Sequence, residues 1–195
     1  ILHCEPDVAL DVSWQHCGRH NVENALTAVA AAHHVGVPAR VAVEALEKFS
    51  GVKRRLELLG EVAGVAVYDD FAHHPTAIAT TLEGLRARSC QGRLIALVEP
   101  RSNTMRMGVH RDKLAKATER ADRVYWFQPE GMEWSLDEVV DESPVPAELV
   151  GEIDELVERV AAEVQPGDQV VVMSNGGFAG VHHKLLAALE QGAAS

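Results

Sequence analysis

Four short segments concentrate the residues whose types and spacing could do chemistry. Asp69-Asp70-Phe71-Ala72-His73-His74-Pro75 sets two carboxylates and two imidazoles between an apolar run and a helix start. Glu99-Pro100-Arg101-Ser102-Asn103-Thr104-Met105-Arg106 offers guanidinium and amide donors that could clamp a carboxylate or a phosphate through charge-assisted bonds. Lys53-Arg54-Arg55 is an unbroken run of cations, able to reach a phosphate if it stands at a hinge. Ser174-Asn175-Gly176-Gly177-Phe178-Ala179-Gly180 is a glycine-rich turn where backbone could approach a ligand closely, though it lacks the G-x-G-x-x-G spacing of a dinucleotide cradle.

Each segment also has a plainer reading. Asp69 or Asp70 could simply cap the following helix, Arg101 and Arg106 could be solvated, the cation run could be a solvated face, and the glycines could serve an ordinary tight turn. The plain readings weaken when the segments are taken together. An acidic chain, with formal net charge -11, that gathers Arg and His on one edge of a sheet points to an anionic ligand. The histidine pairs His33-His34, His73-His74 and His182-His183 do not read as a metal site. Neighbours on a helix point about 100° apart, and no H-E-x-x-H is present. No G-x-S-x-G elbow occurs and no cysteine has an evident general base beside it, which argues against a covalent hydrolase.

The elements that must position these segments fall into two parts. Val8 to Trp14 alternates like a half-buried strand. After Gly18, with Asn21 as N-cap, Val22, Leu26, Val29, Ala30 and Val35 give an amphipathic helix closed by Gly36 and Pro38; a second helix runs from Pro38 to Phe49. Ser50-Gly51-Val52 then marks a boundary, giving domains at 1–50 and 51–195. Beyond it strands and helices alternate. Strands are expected at Leu56 to Leu59, Val62 to Tyr68, Arg93 to Val98, Arg123 to Phe127 and Gln169 to Met173. Helices are expected at Pro75 to Arg88, Val109 to Glu119, Leu149 to Val164 and Gly180 to Leu189. That order predicts an α/β fold, a Rossmann-like doubly wound and mostly parallel sheet whose ligand loops follow Tyr68, Val98, Phe127 and Met173. The acidic stretch from Pro129 to Pro146 reads as a surface excursion.

Composition narrows the setting. Hydrophobic residues make up 47% of 195 residues, and no apolar run nears the roughly 20 needed to span a bilayer. The excess negative charge disfavours nucleic acid and anionic membranes as partners. Cys4, Cys17 and Cys90 are an odd number without C-x-x-C spacing, which fits a reducing cytoplasm. Ile1-Leu2-His3-Cys4-Glu5 has no signal-peptide features and reads as a cut in a longer chain.

Read in order, Gly18-Arg19-His20-Asn21-Val22-Glu23-Asn24, Gly51-Val52-Lys53-Arg54-Arg55-Leu56-Glu57 and Asp69 to Pro75 resemble successive signatures of the Mur ligase family. The Glu99 to Arg106 and Ser174 to Phe178 segments look like the family's tripeptide-using branch. The L-alanine-adding branch typically has Gln-Pro-His-Arg-Tyr at the Glu99 to Asn103 position and Tyr-Gly where Phe71-Ala72 stands. The resemblance implies residues 1–50 as the end of a central ATP-binding domain and 51–195 as the whole carboxy-terminal domain. It also implies ATP with Mg2+, the magnesium ligands and P-loop belonging to a missing upstream region, since no G-x-x-x-x-G-K-[ST] occurs. The implied activity is ligation of L-alanyl-γ-D-glutamyl-meso-diaminopimelate to UDP-N-acetylmuramate through an acyl phosphate in peptidoglycan recycling, with this piece inactive alone. Asn24 would meet the adenine, Arg55 the ATP phosphates and Asp70 the ribose. His73, Arg101, Asn103, Arg106, Ser174 and Asn175 would form the peptide pocket. The alternatives are L-alanine ligation, or a non-catalytic α/β module that binds a peptide or nucleotide.

Overall fold

A computed structural model describes residues 2–5, 8–14, 16, 18–87, 92–128 and 130–193. The chain divides into two compact units, Ile1–Val52 and Lys53–Ser195. Cys17, Cys90, Arg88 and Pro129, named in the sequence reading, lie outside the described residues.

In the first unit, β1 (Leu2–Glu5) pairs antiparallel with β2 (Val8–Leu10), and α1 (Arg19–His34) is followed by α2 (Ala39–Glu47). The strand expected over Val8 to Trp14 stops at Leu10. Helix α1 starts two residues before Asn21, on Gly18 at φ 96°, so Asn21 lies in the first turn and is not the cap. Pro38 stands just outside α2, and not in its first turn. Val29, Ala42 and Val43 are buried, with Leu10, Val12, Ala32, Val37 and Leu46 packed against them. Val22, Leu26 and Val35, expected on the inward stripe of α1, are exposed.

The second unit carries a six-stranded sheet in the order β3-β4-β8-β5-β6-β7. Its strands are β3 (Glu57–Val62), β4 (Val65–Asp70), β5 (Leu94–Glu99), β6 (Arg123–Phe127), β7 (Ala147–Val150) and β8 (Gln169–Ser174). Only β3 runs antiparallel to its neighbour, as part of a hairpin with β4. The turn is Ala63-Gly64, both at positive φ (52° and 76°), the backbone that a two-residue hairpin matched to strand twist requires. Gly60, expected at a turn, lies inside β3 beside a register shift.

The strands read as continuous apolar runs because both faces are covered. On one face Tyr68, Ala96, Val98, Val124, Trp126, Val171 and Met173 pack with α3 (Pro75–Ala87), α5 (Arg111–Ala117) and α6 (Asp137–Asp141). On the other, Val65, Val67, Ile95, Leu97, Tyr125, Val170 and Val172 pack with α7 (Ile153–Glu163) and α8 (Val181–Ala193). A short α4 (Asn103–Arg106) precedes α5, and a 3-10 turn at Phe178–Gly180 precedes α8. The alternating inward pattern is that of a doubly wound sheet, as the sequence predicts.

Two elements of the second unit differ in type from expectation. The helix expected over Leu149 to Val164 is strand β7 followed by α7. Leu149, Ile153, Leu156 and Val160 happen to sit in helical phase, which hid the strand, and Gly151 breaks it. The stretch expected as an excursion contains α6, whose Val139, with Leu136 just before it, is buried in the core. Two apolar anchors are enough to seat an otherwise acidic segment.

Candidate functional site

The carboxyl ends of β4, β8 and β5 lie side by side, with Asp70 in register with Met173 and Glu99 with Ser174. Chain order reverses here: β4 leads through α3 to β5, and β8 returns between them. The helix after β8 covers one face and those after β4 and β5 cover the other, so the strand tips bound the crevice where open α/β sheets take ligands. The tips are polar and buried: Asp69 and Asp70 are each 5% exposed, Glu99 4% and Ser174 0%.

Buried carboxylates need donors, and each of these has them. Asp70 accepts from Leu56 N (2.7 Å) and Ala72 N (2.8 Å) and from the Thr81 hydroxyl (3.1 Å). It therefore ties the segment after Arg55 to the β4–α3 loop. Glu99 accepts from Ser174 Oγ, which in turn accepts from Gly176 N at 2.9 Å, so the tips of β5 and β8 are laced together. Asp69 pairs with Arg54 Nε at 3.1 Å.

Arg54, passed over as one cation of a run, is the most engaged of the three. Its Nη2 donates to Ser174 O (2.8 Å) and Gly176 O (2.6 Å), and its own carbonyl accepts from Phe71 N at 2.9 Å. Residue type and spacing offer no signal for the role of Arg54, and the family resemblance singles out Arg55 alone; backbone placement divides their roles. Arg55 is exposed and forms no ion pair among the described residues; its guanidinium lies 5.8 Å from the centre of the Phe71 ring, with that of Arg54 at 5.4 Å.

The histidines of the β4–α3 loop differ in state. His73 Nδ1 donates to the Phe71 carbonyl (3.0 Å), so in the neutral ring Nε2 is left as an acceptor. His74 Nδ1 accepts from Thr76 N (3.3 Å), and its ring meets that of His110 edge-on at 4.4 Å. Burial, then the neighbouring His110, His73 and Lys113, hold the His74 pKa below its usual 6.5, which favours the neutral ring.

Of the expected anion clamp, Arg101 is exposed, forms no ion pair among the described residues and lies over the β8–α8 loop. A Cβ on Gly176 would come within 2.8 Å of its Nη1, so the Arg101 side chain would have to shift to admit a larger residue at 176. Asn103 is exposed at the start of α4. Arg106 turns toward the segment after β6 and donates to the Glu130 carbonyl, while its Nε is buried without a partner among the described residues. Trp134 Nε1 donates to Met105 O (2.8 Å) at the same seam. Asn175 is half-buried, with an unpartnered buried Oδ1. The structure thus gathers Asp70, His73, Arg101, Ser174 and Asn175 on the strand-tip loops, with Arg55 tied to them through Leu56. Asn24 is exposed on α1, in the first unit.

With this geometry in hand, the chain belongs to the Mur ligase family: the family profile described as "Mur ligase, glutamate ligase domain" matches residues 54–176. It is 51% identical over 177 residues to the UDP-N-acetylmuramate--L-alanyl-gamma-D-glutamyl-meso-2,6-diaminoheptandioate ligase of Escherichia coli (strain K12), covering 90% of this chain and 39% of that protein. The protein of the same name from Haemophilus influenzae is 49% identical over 187 residues, covering 95% of this chain and 41% of its own length. The crystal structure of a murein peptide ligase from Psychrobacter arcticus 273-4 superposes with TM-score 0.72 at 46% identity, covering 92% of this chain and 38% of that one. The chain therefore spans about two fifths of the length of these curated relatives. Among the described residues no group of His, Cys, Asp and Glu could hold a metal ion, and no helix is long and apolar enough to cross a membrane.

Proposed function

We propose that this chain is the amine-presenting part of an ATP-dependent amide ligase that joins L-alanyl-γ-D-glutamyl-meso-diaminopimelate to UDP-N-acetylmuramate in peptidoglycan recycling. The observation that carries this reading is a pair of exposed guanidinium groups without ion-pair partners among the described residues, Arg55 and Arg101, on the loops of a sheet edge whose carboxylates already have their donors. Such groups are available to anions that are not part of this chain. Relatives named for this substrate pair support the choice of peptide.

In this reading ATP converts the sugar's carboxylate to an acyl phosphate, which the peptide's amine attacks to form an amide and release phosphate. Arg55 meets the ATP phosphates and Asn24 the adenine. Asp70, with three donors on its carboxylate, serves the nucleotide chiefly by fixing the backbone after Arg55; a direct ribose bond would require one of those donors to yield. Arg101, Asn103 and Asn175 hold the peptide's carboxylates and amides. His73 Nε2 accepts from the incoming amine and orients it, and Ser174 braces the loop. Arg106 shapes the pocket wall through its bond to the Glu130 carbonyl. Catalysis then rests on orientation and the exclusion of water, which would otherwise destroy an acyl phosphate.

Among the described residues no group of His, Cys, Asp and Glu fits magnesium, and in this reading its ligands, like the P-loop and the UDP-sugar site, belong to further domains of the same protein. ATP and a UDP-sugar as substrates put the reaction in the cytoplasm. The test is ligation by the full-length enzyme given ATP, UDP-N-acetylmuramate and either the tripeptide or free L-alanine. Product is expected with the tripeptide only. Arg101→Ala should raise the KM for tripeptide about tenfold or more, the weight of one charge-assisted bond, with the KM for ATP little changed. Product from L-alanine, or equal effects on both KM values, would defeat the assignment.

A further inference from the structure

We infer that Arg54 is a positioning residue that fastens the Arg55 segment to the β8–α8 loop, so that the nucleotide-facing and peptide-facing sides of the sheet edge move as one piece. The inference rests on the ligase reading above for its kinetic consequence, although the fastening itself is structural.

The backbone on both sides of Arg55 is held in an unfavourable shape: Arg54 has φ 59° and Leu56 φ 52°, both in the left-handed region that side chains with a Cβ seldom adopt. Such a shape persists only where neighbouring bonds over-determine it. Those bonds are present. Arg54 N donates to Glu57 Oε2 (2.8 Å), Arg54 O accepts from Phe71 N, and Leu56 N donates to Asp70. The result is a kinked segment with Arg55 presented at its tip.

The Arg54 guanidinium carries the linkage across the sheet edge. One of its nitrogens neutralises the buried Asp69, and another bonds the carbonyls of Ser174 and Gly176 on the far loop. Gly176 is the residue over which Arg101 lies. Arg55 and Arg101 are therefore joined through a short chain of contacts, Arg55 to Arg54 to Gly176 to Arg101, with Arg54 as the member that crosses. A planar fork is needed to serve a carboxylate and two carbonyls at once. A lysine ammonium would keep the charge beside Asp69 and lose the span.

The test uses the full-length enzyme in three variants. Arg54→Lys keeps the charge, Arg54→Met removes it, and Arg54→Met with Asp69→Asn removes the charge pair together, so that no buried carboxylate is left alone. Kinetics and amide hydrogen exchange at residues 175–177 are read for each. The expected result is faster exchange at Gly176 in all three, and a KM for tripeptide raised on the order of tenfold to a hundredfold along with the KM for ATP, even where the thermal midpoint is restored in the double variant. A double variant with wild-type KM for tripeptide would reduce Arg54 to a counter-charge for Asp69. A rise in the KM for ATP alone, with exchange at 175–177 unchanged, would make it a direct nucleotide ligand. Either outcome overturns the inference. If the wild-type enzyme made no amide, the ligase reading would fall, while the exchange measurement would still decide whether Arg54 fastens the loop.

Discussion

The two units solve the problem of burial in different ways. In the 53–195 unit the central strands are sealed on both faces, and Val67, Ile95, Leu97, Val98 and Val124 have no exposed surface. In the 1–52 unit two helices enclose Val29, Ala42 and Val43 while Val22 is 52% and Val35 77% exposed. The contrast teaches where each gets its order. A sealed sheet is held by the area its two faces remove from water, whereas α1 and α2 have few buried residues between them to hold their packing. It also explains why the strand-tip loops can hold strained backbone at Arg54 and Leu56: they grow from the firmer of the two platforms.

The sharpest way to break this contrast is to cut the sealed sheet. Leu97→Ala should lower the unfolding free energy of the 53–195 unit by about 3 kcal/mol, the sum of lost transfer and a cavity with little room to relax, as read by urea denaturation. A loss below about 1 kcal/mol would mean that the β5 layer is not close-packed. A smaller effect is expected in the other unit. Val43→Ala should loosen α1 and α2 by about 1 kcal/mol, seen as faster amide exchange across residues 25–46, with the sheet amides unmoved. If sheet and helices lost protection together, the units would share one cooperative transition and the comparison would dissolve.

The smallest effect is a pH dependence in the sheet unit. Burial, then His183, keep the His182 pKa below its usual 6.5; Asp69 and Glu57 pull it upward and Arg54 downward, with the lowering influences prevailing. His74 is likewise lowered. With folded pKa values below the unfolded ones, the unfolded chain binds more protons, so stability is complete above about pH 6.5 and declines as pH falls through the folded values. His182→Gln should flatten that slope between about pH 6.5 and 5, measured by chemical denaturation at each pH. An unaltered slope would show that His182 titrates as it does in the unfolded chain.

The strands of the sheet were legible because apolar runs such as Leu94 to Val98 and Gln169 to Met173 are too short for buried helices and end in polar loops. Strand β7 was not, since its Leu149 falls in phase with the helix after it, and α6 was hidden by an acidic surface over two buried anchors. The site was legible at the level of loops. Asp69-Asp70, Glu99 and Ser174 all stand at strand tips, where a polar residue after an apolar run is itself a signal. What spacing could not reveal was the division of labour within a loop. Arg54 turns inward and Arg55 outward because the backbone between them is kinked, and Arg106 is held by a carbonyl at Glu130, far along the chain.

The antiparallel strand β3 also protects the chain from its own kind. Without it the sheet would end on β4, a nearly fully buried strand with a row of open amides ready to template another molecule. Instead the outer rim is a strand bearing Glu57 and Glu61 and irregular between Leu58 and Gly60, a rim that repels and misfits an incoming strand. Resistance to fibrous aggregation is thus written into the same hairpin that leads from Arg55 to the strand-tip loops.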